Sequence, residues 1–291
     1  MIIAAITSGL GNQMFQYAAA RALSVRLGVP LKLETSWFRY SRDRSFQLNR
    51  FRIQATVMTP SEENYWKLLK SSKITRLVEA VRPLGLLGGL TPLVDKQQGF
   101  DERILSVNDP VYLNGYWQSE KYFNAIAGTI RDELTFVAEP DDVNRATLDK
   151  MKSSEAVVLH VRRGDYVSNA ATTAHHGVCD LDYYQRAIQL MILKVSSPHF
   201  FIFSDDPEWS AQNLKLDYPS TYVTHNTGKQ DHEDLRLMAA GKHFIIANSS
   251  FSWWGAWLSA NRGKQVVAPG RWFNSPLVSS RDLLPEGWTV I

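Results

Sequence analysis

Two arginines stand side by side, Arg162-Arg163, directly after the apolar run EAVVLHV at 155–161 and directly before Gly164-Asp165-Tyr166. Adjacent guanidiniums repel each other, so the pair is costly to hold together without an anion. The planar fork of arginine suits phosphate, to which it makes bidentate, charge-assisted bonds. Further along, Ser249-Ser250 precede FSWWGAWL, which reads as a helix. A serine there caps the first turn, and the amides of a helix N-terminus can hold a phosphate. Capping alone would account for the serines; with the arginines added, a pyrophosphate accounts for both. Asp205, Asp206 and Asp234 could then accept hydrogen bonds from a guanine edge or a ribose, although each taken singly reads as a helix cap or surface charge.

A second concentration lies near the start. Gly9 and Gly11 match the first two glycines of a dinucleotide fingerprint, but Met14 occupies the third position. Glu34 is the one acid placed for a ribose. A nicotinamide-dependent oxidoreductase is therefore an open but poor reading, and no GxxxxGK[ST] loop is present. His175-His176 are adjacent and would not face one site in a regular element. Asp180-Leu181-Asp182 is formally a cation-holding DxD, but it opens the helix DYYQRAIQLMILKV, where Asp182 reads as the cap. No metal site is expected. Tyr112, Tyr116, Trp117 and Tyr122 are interleaved with Asn114, Gln118 and Glu120, the mixture of rings and hydrogen bonders that sugar sites use. Trp253, Trp254 and Trp257 fall at helical spacing and read as core.

The elements that must position these residues alternate in type. β-rich runs at 155–161, 199–204, 221–226, 243–248 and 265–269 are separated by helical patterns at 182–195, 207–215, 231–241 and 250–261. Alternation of this kind predicts a parallel sheet covered on both faces. Four of the five strands end in polar groups: the arginines, Ser204-Asp205-Asp206, His225-Asn226, and Asn248-Ser249-Ser250. Ligands of open parallel sheets bind at that carboxyl edge. The first half opens similarly, with a strand IIAAIT, the turn GLGNQ, a helix MFQYAAARALSVRLG and a strand PLKLE. Residues 60–90 read as mostly helical, 111–117 as strand and 119–136 as helix. The acidic, polar stretch 138–154 is the expected junction, giving domains 1–145 and 146–291.

A chain of 291 residues accommodates two domains. With Lys plus Arg at 32 against 29 acids, net +3, it lacks the basic excess of a nucleic-acid binder. Its single cysteine, Cys179, excludes an intrachain disulfide and a cysteine metal site. The first residues show neither a basic n-region nor a full apolar core of a signal segment. A cytoplasmic protein is the expectation.

Five stretches together resemble one family: SGLGNQMFQYAAARAL at the start, YLNGYWQSEKYF at 112–123, HVRRGDY at 160–166, FSDDPEW at 203–209 and DLRLMAAGKHFIIANSSFSWWGAWL at 234–258. They run through the chain in the order seen in the α1,2-fucosyltransferases of bacterial polysaccharide synthesis and their animal blood-group relatives, glycosyltransferase family 11. The resemblance implies an α/β, GT-B-like fold, two Rossmann-like domains with parallel sheets facing a central cleft. The N-terminal domain would be the acceptor side and the C-terminal domain would bind GDP-fucose. It implies an inverting transfer of L-fucose from GDP-β-L-fucose to the 2-hydroxyl of a terminal β-galactoside, with no metal or other cofactor. Arg162 would clamp the pyrophosphate, and His160, Asp234 and Ser250 match GDP-contacting positions. Arg163, Asp205, Asp206, Asn248, Ser249 and Phe251 complete the donor-side set, and Asn12 would lie near the fucose and acceptor. The catalytic candidates are Arg162, Asn12 and Asp165. Residues 167–174 contain no carboxylate; Asp165 reads first as orienting the arginines or capping the turn and only second as a base, and the leaving phosphate could itself take the proton, so no single carboxylate is expected to be indispensable. A fucosyltransferase of another linkage and a carbohydrate-binding module are the competing classes. A lipid-linked acceptor would be compatible with peripheral membrane contact.

Overall fold

The computed structural model describes residues 1–69, 91–96, 99–164, 177–228, 230–274, 278 and 280–291. Asp165, His175, His176 and most of the helical pattern expected after residue 69 lie outside them. The chain divides into two compact units, Met1–Thr135 and Phe136–Ile291. The division falls just before the acidic stretch rather than within it, because helix Asp142–Lys152 packs on the second unit's sheet and helices.

In the first unit, β1 (Ile2–Ala5) leads into α1 (Leu10–Leu27) and β2 (Leu31–Glu34). Then come β3 (Thr56–Val57), α2 (Pro60–Leu69), β4 (Thr91–Val94), α3 (Arg103–Ser106), β5 (Val111–Asn114) and α4 (Ala127–Glu133). The strands form a parallel sheet in the order β3-β2-β1-β5-β4. β1 is buried along its length, as a central strand covered on both faces should be. Ala18, Ala19 and Ala20 of α1 are fully buried. Their small side chains let the helix lie close on the strands.

β4 was not legible in the sequence. Its Pro92 lacks the amide a central strand needs, and the structure places it on the sheet edge, where proline is tolerated. β3 and the strand at Thr289–Val290 are two-residue strands too short to show a period. The strand expected over 111–117 stops at Asn114, and the helix expected over 119–136 is two 3₁₀ turns followed by the short α4.

The second unit contains α5 (Asp142–Lys152), β6 (Glu155–Val161), α6 (Leu181–Lys194), β7 (Pro198–Ser204), α7 (Pro207–Asn213) and β8 (Ser220–Val223). It ends with α8 (Asp231–Ala239), β9 (His243–Ile245), α9 (Ser250–Leu258), β10 (Val266–Ala268) and β11 (Thr289–Val290). Its parallel sheet runs β11-β10-β9-β6-β7-β8. From β6, the chain steps outward to β7 and β8, then returns to β9 and steps the other way. This is the doubly wound dinucleotide-binding order, with its reversal between β6 and β9. Val157, Leu159 and Val161 face a core shared with Tyr184, Ala187 and Met191 of α6. Val158 and His160 alternate to the opposite face, toward α8 and α9. Trp253 and Trp254 of α9 are fully buried, and Trp253 Nε1 donates to Leu283 O at 2.9 Å, so the tryptophans are core as expected.

Asp180, not Asp182, caps α6, accepting from Tyr183 N at 2.8 Å; Asp182 instead pairs with Arg186 one turn on. The DxD is thereby a cap and a helix-surface ion pair. Among the described residues no helix is long and apolar enough to cross a membrane.

Candidate functional site

The carboxyl edge of the second sheet gathers the loops after β6, β7 and β9 at the point where strand order reverses. Arg162 and Arg163 follow β6, and Asp205 and Asp206 follow its hydrogen-bonded neighbour β7. Arg162 Nη1 pairs with Asp205 Oδ2 at 3.0 Å, and Arg163 N donates to the other oxygen of Asp205 at 2.8 Å. Arg163 Nε reaches Asp206 Oδ2 at 3.3 Å, and its guanidinium lies 3.9 Å from the centre of the Trp209 ring. Asp206 also caps α7, accepting from Trp209 N at 3.2 Å.

Two carboxylates of this chain face the arginines, so the pair stands together without an external anion. Asp205 and Asp206 accept from the arginine turn and are each partly exposed. Arg162 remains about one quarter exposed beside Asp205. A side chain at Gly164 would put its Cβ 2.7 Å from Asp205 Oδ2, so glycine is what lets the turn close on that carboxylate.

His160 is buried on the face toward α9, its ring 6.0 Å from that of Phe251. Burial, with the Arg162 charge beside it, pushes its pKa down to about 3, so the imidazole is neutral at working pH. Its Nδ1 is buried and has no hydrogen-bond partner among the described residues. Ser249 caps α9, accepting from Phe251 N at 3.3 Å, and Ser250 and Phe251 are only partly buried at this first turn. Asn248 behaves differently: its side chain is buried and donates to Trp272 O at 3.1 Å and Gly177 O at 3.4 Å. It ties the β9 end to neighbouring loops instead of facing outward.

Asp234, on α8, accepts from Asn226 Nδ2 at 2.9 Å. Asn226 and the fully buried Asn144 of α5 exchange amide hydrogen bonds at 2.9 and 3.0 Å, and His225 Nε2 lies 3.0 Å from Asn144 Oδ1. Burial, aided by Asp231 and Glu233, raises the Asp234 pKa to about 7 although the Asn226 bond opposes it. Asn144 sits in the acidic stretch read as a junction, and no sequence signal marked it.

The first unit carries its own cluster, again where strand order reverses, between β1 and β5. Asn12, in the first turn of α1, donates to Ser8 Oγ at 3.0 Å and accepts from Gln118 Nε2 at 2.7 Å. Its amide is thus fixed in orientation from both ends, and its second N–H makes no hydrogen bond among the described residues. Ser8 and Trp117, the residues that bring these partners in, both adopt left-handed φ, +67° and +54°. Non-glycine residues held there store strain, which accumulates at binding and catalytic sites. Trp117 is held by Asp95 Oδ2, which accepts from its amide at 2.9 Å and from that of Tyr116 at 3.2 Å. Gly115, at φ +145°, permits the turn because a Cβ would collide with the Asp95 side chain. Gln13 and Gln16 brace the same loop, bonding Ser8 O at 3.0 Å and Thr7 Oγ1 at 3.1 Å. Sequence reading found Asn12 and Gln118 but not Ser8 or Asp95. A serine before the glycine turn was the available signal for Ser8. Glu34, the dinucleotide candidate, accepts from Ser36 N at 2.9 Å and Tyr112 OH at 3.2 Å.

Two doubly wound units with polar groups at both reversal points define an α/β protein built to hold ligands at its sheet edges. The model of glycosyl transferase family 11 matches residues 96–291. Over 296 aligned residues the chain is 32% identical to an alpha-1,2-colitosyltransferase of Escherichia coli, covering 100% of this chain and 99% of that one. It is 32% identical to the Escherichia coli O-antigen biosynthesis glycosyltransferase WbnK over 92% of this chain and 93% of WbnK. A Bos taurus galactoside 2-alpha-L-fucosyltransferase SEC1 is 27% identical over 62% of this chain and 51% of its own. Among solved structures, a mutant of Arabidopsis thaliana FUT1 in complex with GDP has the same fold, TM-score 0.54 at 11% identity, over 91% of this chain and 69% of that one. The chain belongs to glycosyl transferase family 11, and its two parallel-sheet α/β units are GT-B-like.

Proposed function

We propose that the protein transfers L-fucose from GDP-β-L-fucose to the 2-hydroxyl of a terminal β-galactoside, with inversion and without a metal ion. The observation that carries this is the seating of Arg162 at the strand-order reversal of a doubly wound sheet, beside the first turn of α9. The second unit is then the donor side and the first the acceptor side.

Bond breaking between the sugar and the β-phosphate builds oxocarbenium character on the ring and negative charge on the phosphate. Arg162, with the amides at 249–251, meets that charge, and Asp205 keeps the guanidinium in place beforehand, so no reorganisation is needed at the transition state. Asp234 accepts from the guanine edge, and neutral His160 offers a hydrogen bond without adding charge. Asn12, fixed by Gln118 and Ser8, presents an N–H to a sugar or acceptor oxygen. An amide held this way orients a hydroxyl; it does not take the proton. As the acceptor oxygen bonds to the sugar carbon, the carbon–phosphate oxygen bond breaks and the acceptor proton passes to the leaving phosphate or to Asp165.

A second reading is favoured by the full-length likeness to the colitosyltransferase: colitose is L-fucose lacking the 3-hydroxyl, so the donor pocket could take either sugar. Incubation with GDP-fucose and a β-galactoside in EDTA, scored for GDP release and product linkage, tests the proposal. An α1,2-fucosylated product supports it. Turnover confined to GDP-colitose transfers the reading to that donor, and activity restored only by a divalent ion overturns the metal-free mechanism.

A further inference from the structure

Between β2 and β3, residues 36–52 (SWFRYSRDRSFQLNRFR) contain Arg39, Arg42, Arg44, Arg50 and Arg52 against the single acid Asp43. That is +5 − 1 = +4, whereas the whole chain is +3, so the remainder of the protein is net −1. Residues 67–82 carry an equal excess, with Lys67, Lys70, Lys73, Arg76 and Arg82 against Glu79, so this excursion is one of two strongly basic stretches of the sequence. All five arginines are exposed. Arg39 pairs with the buried Glu63, while Arg42, Arg50 and Arg52 make no ion pair among the described residues. Like charges gathered on one loop repel.

Exposed aromatics accompany the arginines. Tyr40 is 79% exposed and Trp37 40%, and among the described residues Tyr218, at 36%, is the one other aromatic so open. The excursion is nevertheless fixed at its base. Gln13 Nε2 donates to Ser45 O at 2.9 Å, Gln47 N donates to Gln13 Oε1 at 2.9 Å, and Leu48 and Phe51 are buried. A pinned base holding out arginines with a tyrosine and a tryptophan has the chemistry of an interfacial anchor. Guanidiniums pair with lipid phosphates while the rings occupy the headgroup layer.

We propose that residues 36–52 dock the protein on an anionic lipid bilayer. The surface adjoins the Asn12 cluster: Arg44 Nε lies 4.0 Å from where a Cβ on Gly9 would be, at the start of α1. Docking there would bring a membrane-borne acceptor to Asn12. That consequence rests on the proposed transferase reading, but bilayer binding does not, so vesicle binding and turnover can fail separately.

The test is co-sedimentation of the full chain with phosphatidylcholine vesicles, with and without phosphatidylglycerol, at low and high salt. Wild type is expected to bind only the anionic vesicles and to be released by salt. Combined Arg42→Ser, Arg50→Ser and Arg52→Ser substitution should weaken binding on the order of 100-fold, about fivefold per arginine. The corresponding lysine triple variant should retain binding. Tyr40→Ser should weaken binding without altering its salt dependence. Failure of wild type to bind anionic vesicles, undiminished binding by a serine triple variant with an unchanged melting temperature, or loss in a folded lysine variant overturns the proposal. Full displacement by millimolar inorganic pyrophosphate also overturns it, since the loop would then be a small-anion site.

Discussion

At the scale of single residues, the difference between what is seated and what is exposed decides the predictions. Arg162 is held by Asp205 at 3.0 Å yet partly open to solvent. Arg162→Ala should lower kcat about 10²–10³-fold, by analogy with loss of one oxyanion donor. Asp205→Asn should reduce both GDP affinity and kcat while leaving the arginine charge in place; wild-type kinetics in that variant would mean the carboxylate does not position Arg162. For Asp234, the folded-state carboxyl titrates near 7, above its ordinary 3.8, so the native state binds more protons than the unfolded state between those values. Stability of the free protein therefore falls as pH rises through that window and levels off above 7. Donors on a guanine edge require the ionised form, so GDP affinity should rise about tenfold per pH unit up to 7 and then flatten. Asp234→Asn removes this component, and titration calorimetry of the two proteins reads the difference; superimposable profiles would sink the assignment. Gln118→Glu places a carboxylate against Asn12 Oδ1 and should turn that amide. Steady-state kinetics should show kcat reduced by up to about 10²-fold with GDP affinity unchanged, and unchanged turnover would remove Asn12 orientation from the mechanism.

At the scale of elements, legibility followed burial and length. The long apolar strand β6 was read residue for residue, because a strand covered on both faces is a continuous apolar run. β4 was invisible because edge position tolerates Pro92, and the 119–136 segment misled because its apolar spacing serves 3₁₀ turns that wrap Trp117 and Tyr122. Within the site, residues at strand ends were legible as positions, but not as partners. The arginine pair announced an anion without revealing that Asp205 and Asp206 already supply two. Asn144 acts through Asn226, a contact spanning 82 positions that no local pattern encodes. α9 illustrates how such packing constrains an element that bears function. Gly255 lies against Met238 of α8, and an added Cβ would come within 2.8 Å of the Met238 Cβ. Alanine should gain up to about 1 kcal/mol from helix propensity, but overpacking costs typically about 1–3 kcal/mol. Gly255→Ala is therefore expected to lower the melting temperature. A rise would mean that α8 and α9 separate easily.

At the scale of the molecule, the chain repeats one solution twice: a parallel sheet whose strand order reverses, with polar side chains brought to the reversal. In the first unit the reversal carries amides and strained backbone at Ser8, Asn12 and Gln118; in the second it carries arginines, a buried neutral histidine and a capped helix. The amides around Asn12 suit a hydroxyl-bearing acceptor and the arginine turn after β6 suits a diphosphate, which agrees with the proposed division of roles. It also separates the transferase reading from its dinucleotide rival, which would place the diphosphate on the Gly9–Gly11 turn. Hydrogen exchange with GDP as the sole ligand discriminates between them. Slowed exchange is expected at the end of β6, at 204–206 and in the first turn of α9, with residues 1–135 unaffected. At a GDP concentration about 100 times Kd, stabilisation of the liganded state approaches about 2.7 kcal/mol, enough to slow exchange through the unliganded state about 100-fold. Protection centred on the first turn of α1 would move the nucleotide to the first unit, reinstate Glu34 as its ribose partner and reverse the assignment of the two units.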